Sequence, residues 1–218
     1  VAGHRVVGEL PASSITSATT GATFPMLPNA ESAAIVRAMR TAPRLDATDE
    51  NWDFRPVAEF HATNDRKHLD AGGKASGRWP VFTGASFSLW EPDTGEYYAW
   101  ADPESVSRAL QEKRLNQVRL KSSAFYGLPD GWAADLATLP LMHPRVVFRD
   151  VTRSTDTRTM IAALVPGHTP LTNKAPYLFR RAGTAKAEAF LLGVLCSIPL
   201  DWYTRRYVEV GMNLTVLR

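Results

Sequence analysis

Apolar residues recur in short runs separated by polar stretches, and the runs fall into two periodicities. Residues 4 to 10, HRVVGEL, read as a short strand, and a loop of Ser, Thr and Gly follows from Ser13 to Thr23. The stretch PNAESAAIVRAMR (Pro28 to Arg40) places Ala34, Ile35, Ala38 and Met39 at helical spacing, with Asn29 as its cap and Pro43 as its stop. After an acidic surface loop from Asp46 to Asp53, FRPVAEFHA reads as a strand anchored by Phe54, Val57 and Phe60. Asn64 to Gly77 is polar and Gly-rich and predicts a mobile loop. RWPVFTGASFSLW then reads as a strand with a Gly in its middle, and the turn signal Pro92-Asp93-Thr94-Gly95 between two aromatic runs predicts a hairpin.

Asp102 caps a helix that starts at Pro103 and runs through Arg114, whereas Tyr126 to Pro144 is rich in Gly and Pro and has no clear assignment. Three strands follow, RVVFRDV, TMIAALVP and APYLFRR. The last element, TAKAEAFLLGVLCSIPLDWYTRRYVE, is dense in Phe190, Leu191, Val194, Leu195, Ile198, Leu200 and Trp202 and reads as a buried helix that Pro199 kinks or restarts. Short strands, few helices and long loops predict an α+β domain built on a mixed sheet. There is no internal repeat.

Composition narrows the class. A chain of 218 residues with 44% apolar residues can fill a real core, so it is not a disordered segment. The lone Cys196 excludes an internal disulfide and a Cys cluster for zinc. Neither a membrane span nor a secretory signal is visible in the sequence, which predicts a soluble cytoplasmic protein. The chain begins at Val1 without an initiator Met and ends in MNLTVLR, a strand-like run without a turn, so it reads as a fragment of a longer protein.

Charge changes the picture further. The net charge is only +3, yet residues 145 to 218 carry 11 Lys and Arg against five Asp and Glu, whereas residues 1 to 144 carry 14 against 17. A basic end of this kind is the footprint expected for phosphate binding, and a solvated arginine-rich surface is the plain alternative.

Catalytic constellations are sparse. His61, Asp65 and His68 share one short segment, and a metal-dependent hydrolase or nuclease could be drawn on them, although a third strong ligand at a recognised spacing is missing. The sequence contains no Gly-x-Ser-x-Gly elbow and no phosphate-cradling glycine loop, and Cys196 sits in an apolar helix. No catalytic residue and no metal ligand are therefore assigned.

The basic end reads as a binding surface. Arg149, Arg153 and Arg158 are interspersed with Asp150, Ser154, Thr155, Asp156, Thr157 and Thr159. Guanidinium forks suit phosphate oxygens and the O6/N7 edge of guanine, and hydroxyls add shorter donors. The competing reading has Arg149 and Asp150 bracing a loop, and Arg205 and Arg206 satisfying the last carbonyls of a helix.

These residues also carry a resemblance. FRDVTRSTDTRTMIAALVP resembles the RDi-ratDeRTmIaailP signature in the C-terminal region of bacterial Eco57I-like and type I-like restriction-modification methylases. GATFPMLPNAESAAIVRAMR resembles the segment that follows their catalytic domain. EFHATNDRKHL resembles REFDmTNDs-lF, and WPVFTGASF stands where lPlYeGKmi is expected. AFLLGVLCSIPLDWYTRRYVEVGMNLTVL is similar to lLa-lNSfvfDyv-Rqkv-G-nlnff-lkqlP.

The resemblance implies a target-recognition domain, similar to those of type I specificity subunits, spanning residues 46–218 after a connector of residues 1–45. It implies a role in a restriction-modification, phage-defence adenine-N6 DNA methyltransferase. The partners are then double-stranded DNA and an upstream methyltransferase domain of the same chain. The fragment itself holds no cofactor, and S-adenosylmethionine is expected for the parent methylase. The Asn-Pro-Pro-aromatic tetrapeptide of the family's methylating site does not occur in this sequence, which places catalysis before Val1.

The residues expected at DNA are Arg149, Arg153, Thr155, Arg158 and Thr159 in the signature, with Arg205, Arg206, Gly211 and Asn213 in a second cluster. The usual Glu-Gly-Lys is Thr83-Gly84-Ala85 here, so Lys74 and Arg78 are candidates for the missing lysine. A protein-interaction scaffold that docks its basic end on the methylase is the remaining alternative.

Overall fold

The computed structural model describes residues 25–42, 45, 47, 49–69 and 73–208. Its centre is a four-stranded sheet in the order β1-β6-β4-β5. Here β1 is Asp53–Val57, β4 Arg145–Phe148, β5 Ala162–Val165 and β6 Tyr177–Ala182. A separate two-stranded ribbon pairs β2 (Trp79–Val81) with β3 (Ala99–Ala101). The helices are α1 (Ala30–Met39), α2 (Arg66–Leu69), α3 (Pro103–Gln117), α4 (Asp130–Ala134), α5 (Ala185–Leu195) and α6 (Ile198–Thr204). The fold is α+β.

The expected mixed sheet is corrected, because every strand pair is antiparallel. Parallel neighbours need a crossover connection, commonly a helix. Here α3 and α4 lie between strands of different sheets, and α5 and α6 follow the last strand. Among the described residues parallel geometry survives only in the single bridges Phe60 to Thr172 and Phe82 to Leu171.

The alternating side chains of the central sheet divide the core into two layers. Val146, Phe148, Ala162, Phe54 and Leu178 face α5, where Leu191, Leu195 and Cys196 cover them. Val147, Ala163, Val165, Val57 and Tyr177 face the opposite way, onto Phe82, Phe87, Phe125 and Leu171. A third cluster packs Val106, Ala109 and Leu110 of α3 against Val81, Ala101 and Phe60.

Several termini follow the sequence closely. The Asn29 side chain accepts from the Ser32 amide at 2.8 Å, and the Asp102 carboxylate accepts from Ser105 at 2.9 Å. Pro199 sits in the first turn of α6, and Ser197 caps it, so the long apolar run restarts as a second helix. The predicted strand from Arg78 to Trp90 stops at Val81, because Phe82 leaves the ribbon to exchange backbone hydrogen bonds with Pro170 and Thr172. The predicted hairpin is kept in the antiparallel pairing of β2 with β3, but the residues between them, 82–98, form a long irregular excursion in place of a tight turn. The polar segment 64–77 contains the helical turn α2. Residues 4–10 and the terminal MNLTVLR lie outside the described residues.

Gly183 turns the chain from β6 into α5 with φ near +100°, and a Cβ there would stand 2.5 Å from the Asn51 carbonyl oxygen. Gly183→Ala is expected to lower stability by roughly 1–3 kcal/mol, the scale of one forced backbone conformation. Thermal unfolding of the two proteins checks it, and an unchanged midpoint would mean that the turn relaxes freely.

Candidate nucleic-acid interface

The loop joining β4 to β5 carries the arginine signature. Its base is an extension of the ladder, with the Arg149 amide donating to the Ile161 carbonyl at 2.9 Å. Arg149 then runs past Gly84, whose absent side chain makes the approach possible: a Cβ there would lie 3.2 Å from Arg149 Cγ. The guanidinium Nη2 donates to the Phe87 carbonyl at 3.0 Å, whereas Nε is buried without a partner. Burial lowers the proton affinity of this half-buried cation. Beside it, Asp150 forms an ion pair with Lys174 at 3.3 Å, so the Arg149-Asp150 dipeptide braces the loop through neighbours rather than through itself.

The far half of the loop is organised by α6. Asp201 is buried, and its Oδ1 accepts from the amides of Thr159 at 2.7 Å and Met160 at 2.8 Å. Its Oδ2 accepts from Arg205 Nε at 2.9 Å. Arg158 Nε stands 3.7 Å from Asp201, an ion pair without a hydrogen bond, while its Nη2 donates to the Cys196 carbonyl at 2.7 Å. The Arg205 fork reaches on into the loop, donating to the carbonyls of Ser154 at 2.8 Å and Thr157 at 2.7 Å. Burial acts to raise the Asp201 carboxyl, but the Met160 and Thr159 amides and Arg205 outweigh it and hold the group below the usual carboxylate range.

The expected DNA-contacting residues therefore divide. Arg153 and Thr155 are exposed at the loop's tip. The Arg153 amide donates to Asp156 at 2.9 Å, and its guanidinium makes no ion pair among the described residues. Arg149, Arg158 and Arg205 are half-buried and committed to protein acceptors. Thr159 is fully buried and spends its hydroxyl on the Arg153 carbonyl at 2.9 Å, so its expected direct contact with DNA is corrected to an internal brace. Arg206 is half-buried with its guanidinium 5.1 Å from the Trp202 ring centre.

Lys74 and Arg78 belong to the segment before β2, on the far side of β2 from the residues of the β4–β5 loop in sequence. Lys74 is exposed and lies 5.7 Å from the Trp100 ring centre, and Arg78 is half-buried. Gly211 and Asn213 lie outside the described residues.

The His61, Asp65 and His68 group is not assembled as a metal site. Asp65 Oδ2 accepts from Lys113 Nζ at 2.6 Å and from the His61 amide at 2.7 Å. Burial acts to raise this carboxyl, and Lys113 with the His61 amide overcomes it, leaving Asp65 below the usual range. Among the described residues no three His, Cys, Asp or Glu side chains could hold a metal together. The Cys196 thiol is buried, donates weakly to the Ala162 carbonyl at 3.5 Å, and is pushed up by burial.

Reading the sequence for cations missed the acid that organises them. The spacing of Asp201 and Arg205, four residues apart on one helix, was the available signal. The partners of Asp201 across the chain, 41 to 43 residues away, had none.

No family model matches the chain, and no curated protein or solved structure gives a significant match. Among the described residues no helix is long and apolar enough to cross a membrane.

Proposed function

We propose that this chain is the DNA-recognition module of a restriction-modification adenine-N6 methyltransferase, with the catalytic domain and its S-adenosylmethionine upstream in the same polypeptide. In this reading the module is of the type I specificity-subunit kind and acts in phage defence. It grips the duplex while the methylase swings the target adenine out of the stack.

One observation carries the reading. Four of the five segments that resemble the methylase family are far apart in sequence yet hydrogen-bond to one another around the arginine loop. Arg149 joins the signature to Phe87, and Asp201 joins it to the last helix. Met26 and Arg40 tie the connector to that same end, through the Arg206 carbonyl and the Tyr207 hydroxyl, each at 2.6 Å. The loop side chains exposed at its tip are Arg153, Thr155, Asp156 and Thr157.

Because Arg149, Arg158 and Arg205 are occupied, the phosphate count falls to about three: the exposed Arg153 and Lys174 and the half-buried Arg206, the last two keeping donors over from their contacts with Asp150 and the Trp202 carbonyl. The logarithm of duplex affinity is then expected to fall against the logarithm of salt with a slope of roughly −3. Fluorescence anisotropy on a labelled duplex measures it, and Arg153→Ala should reduce the slope by about one. Affinity that is flat in salt for the intact chain would sink the reading.

A second reading, a scaffold docking on another protein domain, is favoured by one feature. Phe190, Val194 and Ile198 form an exposed apolar stripe, 66%, 36% and 74% accessible. Under that reading Phe190→Ser weakens domain association while leaving any DNA binding unchanged.

A further inference from the structure

We infer that Asp201 is a positioning residue for DNA recognition: from inside the protein it fixes the shape of the 153–159 turn and so sets where Arg153 meets the phosphate backbone. The inference rests on the DNA-recognition reading above and assigns a role to a residue that touches no DNA.

Residues 153–159 contain no apolar side chain, so burial cannot hold this turn in place. Its restraints are polar. Asp156 folds back on the Arg153 amide, and the Thr159 hydroxyl closes the turn onto the Arg153 carbonyl. Both contacts lie within the turn and do not orient it on the body of the protein. The contacts that do so are the Arg158 fork, which donates to the Cys196 and Ser197 carbonyls, and two side chains at α6, Asp201 within it and Arg205 at its C-cap. Asp201 takes the Thr159 and Met160 amides, which fixes the exit into β5, and it aligns Arg205 along the helix. Arg205, so aligned, holds the Ser154 and Thr157 carbonyls.

The charge of Asp201 has a second effect. Arg158 and Arg205 reach it with side chains that are each 20% accessible, against 8% for Asp201 itself. The carboxylate thus helps the Cys196 and Ser197 carbonyls keep Arg158 of the loop turned inward, draws Arg205 of the helix end in beside it, and leaves Arg153 as the outward one. Without it, the same three arginines would present a diffuse positive cluster instead of one placed fork. A placed fork gives register on the duplex, whereas a diffuse cluster gives only non-specific attraction.

The test uses the full chain with Asp201→Asn, which keeps the size and one acceptor oxygen but not the charge. In the absence of DNA, cleavage by trypsin after Arg153 and Arg158 is expected to accelerate at least ten-fold while the far-ultraviolet circular dichroism stays unchanged. On a labelled duplex at fixed salt, affinity is expected to fall about ten-fold. Arg153→Ala should cause a similar fall, and the double variant should lose no more than either single one, because Asp201 acts through Arg153.

Losses that multiply in the double variant would overturn the assignment, as would duplex affinity that is unchanged or improved by Asp201→Asn. Wild-type chain that ignores duplex DNA, while Asp201→Asn still frees the turn, overturns the DNA reading and this assignment with it. Should Asp201→Asn fail to fold, Arg205→Lys keeps the pair with Asp201 but lacks the fork for Ser154 and Thr157. It is expected to free the turn and weaken the duplex in the same way, and wild-type behaviour in both assays would overturn the inference.

Discussion

Glu59→Ala is expected to destabilise the protein by about 3–5 kcal/mol, the scale for removing one partner of a buried ion pair. For a chain of this size that lowers the midpoint of thermal unfolding by roughly 6–20 °C. Glu59 and Arg145 form the pair, with side chains 3% and 4% accessible. Arg145 Nη1 donates to Glu59 Oε1, Nη2 donates to the Thr169 carbonyl at 2.6 Å, and the guanidinium lies 5.1 Å from the Tyr177 ring centre. Glu59 Oε2 accepts from the Leu171 amide at 2.9 Å.

Burial pushes the Glu59 carboxyl up, and Arg145 with the Leu171 amide offsets only part of this. An alanine at 59 leaves a guanidinium with no anion in the middle of the sheet. Replacing both partners, Glu59→Leu with Arg145→Met, should recover most of the loss, since packed apolar groups need no solvation. A single variant that melts within about 2 °C of the parent would mean that water reaches Arg145.

Arg114→Leu is expected to cost about 3 kcal/mol and to act locally. Arg114 is 2% accessible and forms no ion pair among the described residues; its acceptors are the carbonyls of Ala133 at 3.0 Å and Asp135 at 2.6 Å and the Thr138 hydroxyl at 3.0 Å. Its guanidinium also lies 4.4 Å from the Trp132 ring centre. Hydrogen bonds to a charged group contribute roughly 1.5–3 kcal/mol each, and leucine recovers part of the loss by packing. These bonds secure the segment holding α4 and the 3-10 turn Leu136–Thr138. Hydrogen exchange should therefore show residues 130–142 opening first, with the central sheet still protected. Uniform loss of protection across the sheet would instead make Arg114 a global support.

Both predictions concern charges that sequence reading placed poorly, and the reason is general. Local signals were legible: the caps Asn29 and Asp102 start α1 and α3, and Pro199 with Ser197 restarts the last helix. The three C-terminal strands were legible for the same reason, because Val146 and Phe148 alternate with Val147 across the sheet. What could not be read were partners far along the chain. Arg114 explains why Tyr126 to Pro144 resists assignment by pattern: its backbone is held by a cation from a different helix. At the candidate site the sequence pointed to the loop and its arginines as a group, of which Arg153 is the exposed one. The inward turn of Arg158, Arg205 and Thr159 was not foreseen, since it depends on Asp201 meeting β5 across 41 residues.

The order β1-β6-β4-β5 also has a consequence for synthesis. Among the described residues the edge strand β1 pairs only with β6, and Val57 meets Tyr177. About 120 residues must leave the ribosome between the two, roughly 6–24 s at ordinary elongation rates. During that interval Phe54 and Val57 have no sheet to join, so the nascent amino-terminal half is the stage most exposed to chaperones and to self-association.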